Sequence, residues 1–195
     1  DDGTDGRELW KTDPVAGTTE LVKNIRPGAN NSSNPGELTN VHGTLFFAAD
    51  DDGTHGRELW KSDGTDPGTV EVKDIWPDVD SSSPTELTGG SLSFTADDGV
   101  NGRELWASDG TNAGTLIVKD IRPGANGSAP TELTNAGGVL FFTANDGTVG
   151  RELWRSSAPD DVILPGGDSG CFVDTATFDI PHDIYAWILK TFWDK

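Results

Sequence analysis

Four glutamates recur in one setting. Glu8, Glu58, Glu104 and Glu152 each stand between an arginine and a Leu-Trp pair. Glycoside hydrolysis needs two carboxylates, but a residue that returns identically in every repeat of an array marks structure rather than one reactive centre. Arg-Glu neighbours of this kind are expected to pair across the interface between packed units. Gly167-Asp168-Ser169-Gly170 imitates a serine-nucleophile loop, yet Cys171 follows it and no histidine stands in a matching context, so a glycine-rich linker accounts for it. The three histidines, His42, His55 and His182, occupy different repeat positions or none. There is no His-x-x-x-His or Cys-x-x-Cys, and a zinc site is not expected.

Calcium is the better chemical reading. Asp50-Asp51-Asp52-Gly53, Asp97-Asp98-Gly99 and Asn145-Asp146-Gly147 crowd oxygen ligands into turns, and calcium takes six to eight oxygens. Asp50, Asp52, Asp97, Asp98 and Asp146 are the candidate ligands. No EF-hand spacing occurs, and the alternative is a plain hairpin turn in which Asp-Gly supplies positive φ. Trp76 stands where the sister units carry Arg26 and Arg122. Such a break in a repeat is a candidate glycan contact, against simple drift on a surface loop.

These groups must be positioned by a particular kind of chain. Its 195 residues hold 14 Lys+Arg against 33 Asp+Glu, a net charge of −19. A polyanion would be repelled, which argues against nucleic acid and against an anionic membrane surface. No run of 18 apolar residues offers a membrane-spanning helix. The 25 glycines and 11 prolines suit many short strands joined by tight turns. One cysteine allows no intrachain disulfide. There is no methionine and no basic-then-apolar leader, so the chain is expected to begin after a processed N-terminus or a cut.

Arg-Glu-Leu-Trp occurs at Arg7, Arg57, Arg103 and Arg151, at offsets of 50, 46 and 48 residues. Between copies run a Val-Lys-Asp/Asn-Ile segment, a Ser/Asn/Gly-rich loop, a Glu-Leu-Thr segment and an apolar stretch such as Leu45-Phe46-Phe47. Apart from the loop, these segments and Arg-Glu-Leu-Trp itself each read as a short strand bounded by turn residues, with no helical period before residue 180. Four-stranded units at this period predict an all-β, β-propeller-like fold. A β-trefoil or an open repeat array is the alternative, because three and a quarter units do not make an ordinary closed propeller. Trp10, Trp60, Trp106 and Trp154 are expected to be equivalent and buried. The first Arg-Glu-Leu-Trp strand lacks the Leu-Phe-Phe partner that precedes the others, leaving an edge that invites a strand from elsewhere.

Glu58-Leu59-Trp60-Lys61-Ser62-Asp63-Gly64-Thr65 and its counterpart at Glu104 to Thr111 resemble the ELWxxDGT repeats of large secreted and surface-associated bacterial proteins. The copy at Glu8 departs from that pattern, with Asp13-Pro14 in place of Asp-Gly, and the copy at Glu152 stops after Ser157. The resemblance covers residues 1–157 and implies an extracellular or cell-surface repeat protein without enzymatic activity. Residues 158–195 form a second region, of linker composition at its start. Cys171-Phe172-Val173-Asp174-Thr175-Ala176 resembles a Cys-Phe-Ile box, which implies a sorting or attachment element centred on Cys171. After Pro181, Ile184, Ile188 and Phe192 recur four apart, predicting a short amphipathic C-terminal helix that docks on its own repeats or on a neighbour. The expected function is structural or adhesive, as a homo-oligomer or polymer joined through this segment, with a surface-glycan-binding module as the alternative.

Overall fold

The computed structural model describes residues 4–28, 31–51 and 53–156. The predicted C-terminal helix, Cys171 and Asp52 lie outside these residues. Thirteen strands run in order: β1 (Leu9–Asp13), β2 (Thr18–Lys23), β3 (Gly36–Val41), β4 (Thr44–Asp50), β5 (Arg57–Ser62), β6 (Val70–Lys73), β7 (Thr85–Thr88), β8 (Leu92–Asp97), β9 (Arg103–Ser108), β10 (Leu116–Lys119), β11 (Thr131–Ala136), β12 (Val139–Asn145) and β13 (Arg151–Arg155). They form four antiparallel sheets, β1–β2, β3–β6, β7–β10 and β11–β13, each a meander in chain order. No helix occurs among the described residues. Each full sheet begins at Glu-Leu-Thr, so the Arg-Glu-Leu-Trp strand is the third strand of its sheet rather than the first.

Successive sheets meet through their first strands, β3 beside β7 and β7 beside β11. Thr39 Oγ1 donates to Leu87 O at 3.0 Å, and Thr88 Oγ1 donates to Leu133 O at 3.1 Å. The core lies between the sheets, as strand alternation requires. Phe47, Ala49 and Trp60 face Leu9, Val22 and Ile25 of the sheet before. Phe46, Leu59, Val72 and Ile75 face Leu92, Phe94, Ala96 and Trp106 of the sheet after. The adjacent pair Phe46-Phe47 thus serves two different interfaces. This stacking of separate meanders differs from the trefoil alternative, and no closed barrel is present among the described residues.

Two irregularities recur. The outer strand slips by one residue opposite each Leu-Trp pair, where Leu59 faces Lys73 but Trp60 faces Glu71. Leu9/Trp10 against Lys23/Leu21 and Leu105/Trp106 against Lys119/Ile117 repeat the slip. The extra residue is Val22, Val72 or Val118, and such a bulge re-aims a side chain. Val72 is accordingly buried while Val70 is exposed, although plain alternation assigns both to one face.

The second irregularity lies in the first strand of each full sheet and of the last. Gly36 pairs with Ala48, but Thr39, three residues on, pairs with Phe46, two residues back. Glu37, Glu86 and Glu132 absorb the extra length with φ of 58°, 60° and 60°. This left-handed conformation costs a non-glycine residue about 1–2 kcal/mol. Two of these carboxylates bond along the stack. Glu37 Oε2 accepts from Glu86 N at 2.9 Å, and Glu86 Oε2 accepts from Leu133 N at 3.1 Å.

The four repeated tryptophans are equivalent in register but not in burial. Trp60 and Trp106 are buried between sheets, whereas Trp10 and Trp154 are half-buried in the terminal sheets. Removing an indole from a packed core costs about 3–5 kcal/mol. Trp60→Ala is therefore expected to lose that much in urea unfolding, and Trp154→Ala clearly less. Equal losses would contradict the stacking described here.

Candidate functional site

The recurring glutamate is a buried clamp. Glu58 sits on β5 and accepts from Ile75 N at 3.0 Å, Ser82 N at 2.7 Å and Ser82 Oγ. Glu8 does the same with Ile25 N, Ser33 N and Ser33 Oγ. Glu104 takes Arg122 N, Ser128 N and Ser128 Oγ. One carboxylate thus ties the end of the outer strand to the Ser-rich loop that leads into the next sheet. Glu152 is half-buried in the last sheet. The expected Arg–Glu pairing is not what forms. Adjacent residues of a strand point to opposite faces, and Arg57 instead donates to Ala48 O and Asn34 O and lies 3.4 Å from Asp50. The glycine before the arginine is required by this loop. At Gly56, φ is +69° and an added Cβ would meet Asp80 O at 2.2 Å.

The aspartates singled out for calcium stay in separate turns. Asp97 Oδ1 accepts from Gly99 N at 2.9 Å. Asp98 takes the Val100 and Asn101 amides and the Asn101 side chain. Asp146 takes the Thr148 amide and hydroxyl and the Val149 amide. Burial works against the Asp98 anion, yet the bonds from Asn101 and Val100 hold its carboxyl below the ordinary value. Bonds from Thr148 do the same for Asp146. These are turn-closing carboxylates. The repeated Asp-Gly-Thr is a second turn of this kind, where Asp63 Oδ1 accepts from both the amide and hydroxyl of Thr65.

One turn is different. Asp51 Oδ1 takes the amides of Gly53, Thr54 and His55, and Oδ2 takes the Thr54 hydroxyl at 2.6 Å. His55 Nδ1 lies 3.2 Å from Asp51 Oδ2 and 3.0 Å from Glu71 Oε2 on β6. Among the described residues this is the group of histidine and carboxylate side chains whose ligating atoms converge, all within 4.8 Å. Burial alone would push the His55 imidazole down, but the charge and hydrogen bond of Glu71, with Asp74 and Asp51, hold it above its ordinary value. Burial pushes the Glu71 carboxyl up, against the pull of His55.

The sequence reading passed over this cluster, although a signal was there. Counted back from Arg-Glu-Leu-Trp, His55 stands where the other units have Asp5, Asn101 and Val149. Glu71 stands where they have Leu21 and Ile117. Both break the repeat, as Trp76 does. Trp76 itself is half-buried, and its indole lies where a Cβ on Gly99 would come within 2.6 Å. Arg122 covers Gly147 in the same way one sheet later.

The clamp predicts a pH dependence. Burial, opposed by the Ser82 and Ile75 bonds, pushes the Glu58 carboxyl up from 4.5 to about 7. A carboxyl raised on folding keeps a proton that the unfolded chain has lost. Its stabilising contribution is therefore full below pH 4.5, declines as pH rises, and is gone above about 7, a change of about 3 kcal/mol. In urea unfolding across that window, the stability of wild type should fall more steeply with pH than that of Glu58→Gln. Parallel pH profiles would show that Glu58 stays ionised throughout.

Neither a protein-family model, nor a curated protein, nor a solved structure matches this chain.

Proposed function

We propose that this chain is a non-enzymatic, propeller-like repeat protein of the bacterial cell exterior, structural or adhesive, acting by head-to-tail association with copies of itself. The observation that carries this reading is that one joint is repeated between successive sheets, with Thr39 Oγ1 on Leu87 O and Thr88 Oγ1 on Leu133 O. Leu59 and Leu105 are 0% and 1% exposed under the following sheet, whereas their counterpart Leu153 on the last sheet is 46% exposed. The surface a preceding sheet offers and the surface a following sheet needs are one repeating mould. A contact between unlike faces that does not close on itself propagates as a filament.

The ELWxxDGT resemblance supports a secreted or surface setting, and the turn-closing role of the recurring acids supports a scaffold over a catalyst. Residues 158–195 are the proposed connector. Carbohydrate binding through Trp76 ranks second, because one side of that indole is taken up by the Gly99 turn.

Light scattering of the full chain across a concentration series tests the proposal. Particle mass is expected to rise with concentration, and Leu153→Asp is expected to lower it towards the monomer. Deleting residues 158–195 should abolish assembly if the tail is the connector. A full-length chain that remains monomeric at high concentration overturns self-association. Saturable glycan binding by such a monomer, lost in Trp76→Ala, would install the second reading.

A further inference from the structure

We propose that Asp51, His55 and Glu71 form a binding site for a divalent transition-metal ion of the zinc class. The site is independent of the assembly proposed above.

The geometry comes first. With metal–ligand bonds of about 2.1 Å, ligands on adjacent corners stand about 3.0 Å apart in an octahedron and about 3.4 Å apart in a tetrahedron. His55 Nδ1 lies 3.2 Å from Asp51 Oδ2 and 3.0 Å from Glu71 Oε2. His55 Nδ1 is thus spaced from each carboxylate as a cis ligand would be, and the three ligating atoms all lie within 4.8 Å of one another. Asp51 is held for this by three amides and a hydroxyl, so little ordering remains to be done on binding. The His55 side chain is 44% exposed and that of Asp51 10%, which leaves an entry path over a shielded floor.

Charge complementarity adds a second argument, since two carboxylate oxygens, Asp51 Oδ2 and Glu71 Oε2, lie against one imidazole and a divalent ion balances such a pair better than the ring does. Asp74 adds a buried Oδ1 with no hydrogen-bond partner. That orphan oxygen recurs at Asn24 and Asp120 in the sister units, so it belongs to the repeat and does not mark the site alone. In the first sister unit the position holds a neutral amide, whose Nδ2 donates to Asp5. Here, as at Asp120, it holds a carboxylate.

The third argument is coincidence of substitution. His55 and Glu71 lie 16 residues apart on different elements, each replaces the residue types of its sister positions, and the two meet at 3.0 Å. Two unrelated drifts on a scaffold surface have no reason to converge. The nitrogen ligand decides the class of ion. Calcium and magnesium prefer all-oxygen shells, whereas imidazole with carboxylates suits zinc and its neighbours. Three protein ligands leave further positions for water.

The sister units supply mild variants. His55→Asn installs the residue found at position 101, and Glu71→Ile the residue found at position 117. Titration calorimetry of the full 195-residue chain with zinc chloride should show one site per chain. Each variant should weaken it by at least about tenfold, while His42→Asn leaves it unchanged. Zinc should raise the melting temperature of wild type and of neither variant, and calcium at the same concentration should not substitute. Cobalt titration followed by proton NMR needs no variant, and His55 ring signals should broaden before those of His42 and His182. Zinc affinity equal in wild type and both folded variants, or cobalt broadening that begins at another histidine, overturns the proposal. So does an absence of zinc binding to wild type.

Discussion

A buried carboxyl group ringed by hydrogen-bond donors holds this molecule together. Glu8, Glu58 and Glu104 each sit among backbone amides and a serine hydroxyl. A carboxyl group is buried at tolerable cost only when hydrogen-bond donors replace its water, and even here burial holds Glu58 and Glu104 above the ordinary carboxylate range. The donors here come from two places distant in sequence, the turn after the outer strand and the serine before the next sheet. The clamp therefore does more than satisfy itself. It sets the path by which the chain leaves one sheet and enters the next.

The remaining regularities follow from that path. The loop passes so close to the third strand that a side chain at Gly56 or Gly102 would strike its backbone. Arg103, next to such a glycine, spans from Thr95 O to Ser83 O and pins the loop from the other side. Lys11 and Lys61 reach to Gly64 O and Gly110 O, the Asp-Gly turn of the following sheet. Each conserved-looking letter of Gly-Arg-Glu-Leu-Trp-Lys thus meets a different neighbour: loop backbone, strand and loop carbonyls, loop amides, the next sheet, the previous sheet and the next turn.

Sequence periodicity was enough to read four strands per unit and the common register position of the tryptophans, though not their unequal burial, because alternation and turn residues are local signals. Three things were not legible. The one-residue slip opposite Trp60 turns Val72 inwards, and pattern alone assigns it with Val70. The left-handed φ of Glu37, Glu86 and Glu132 has no local signature, since glycine is the usual marker and glutamate gives none. The partners of Glu58 lie 17 and 24 residues away, so the sequence suggested an arginine across the interface between units while the fold chose Ile75 and Ser82 of its own unit. The convergence of His55 with Glu71 was hidden for the same reason, although the repeat itself displayed both departures.

The acid-to-amide chain along the first strands has a direction. Glu37 accepts from the next sheet, Glu86 accepts from the one after, and Glu132 stands exposed at the end of the series. The sheet β7–β10 carries both halves of the joint, a donor backward at Glu86 N and an acceptor forward at Glu86 Oε2. A segment of 46 to 50 residues, the repeat spacing, duplicated or lost during replication would therefore add or remove a sheet together with both halves of its joints. The surviving neighbours would meet across the same joint as before. Repeat number is consequently a quantity that recombination can change without redesigning any interface, and the exceptional pair at positions 55 and 71 travels within a single such segment.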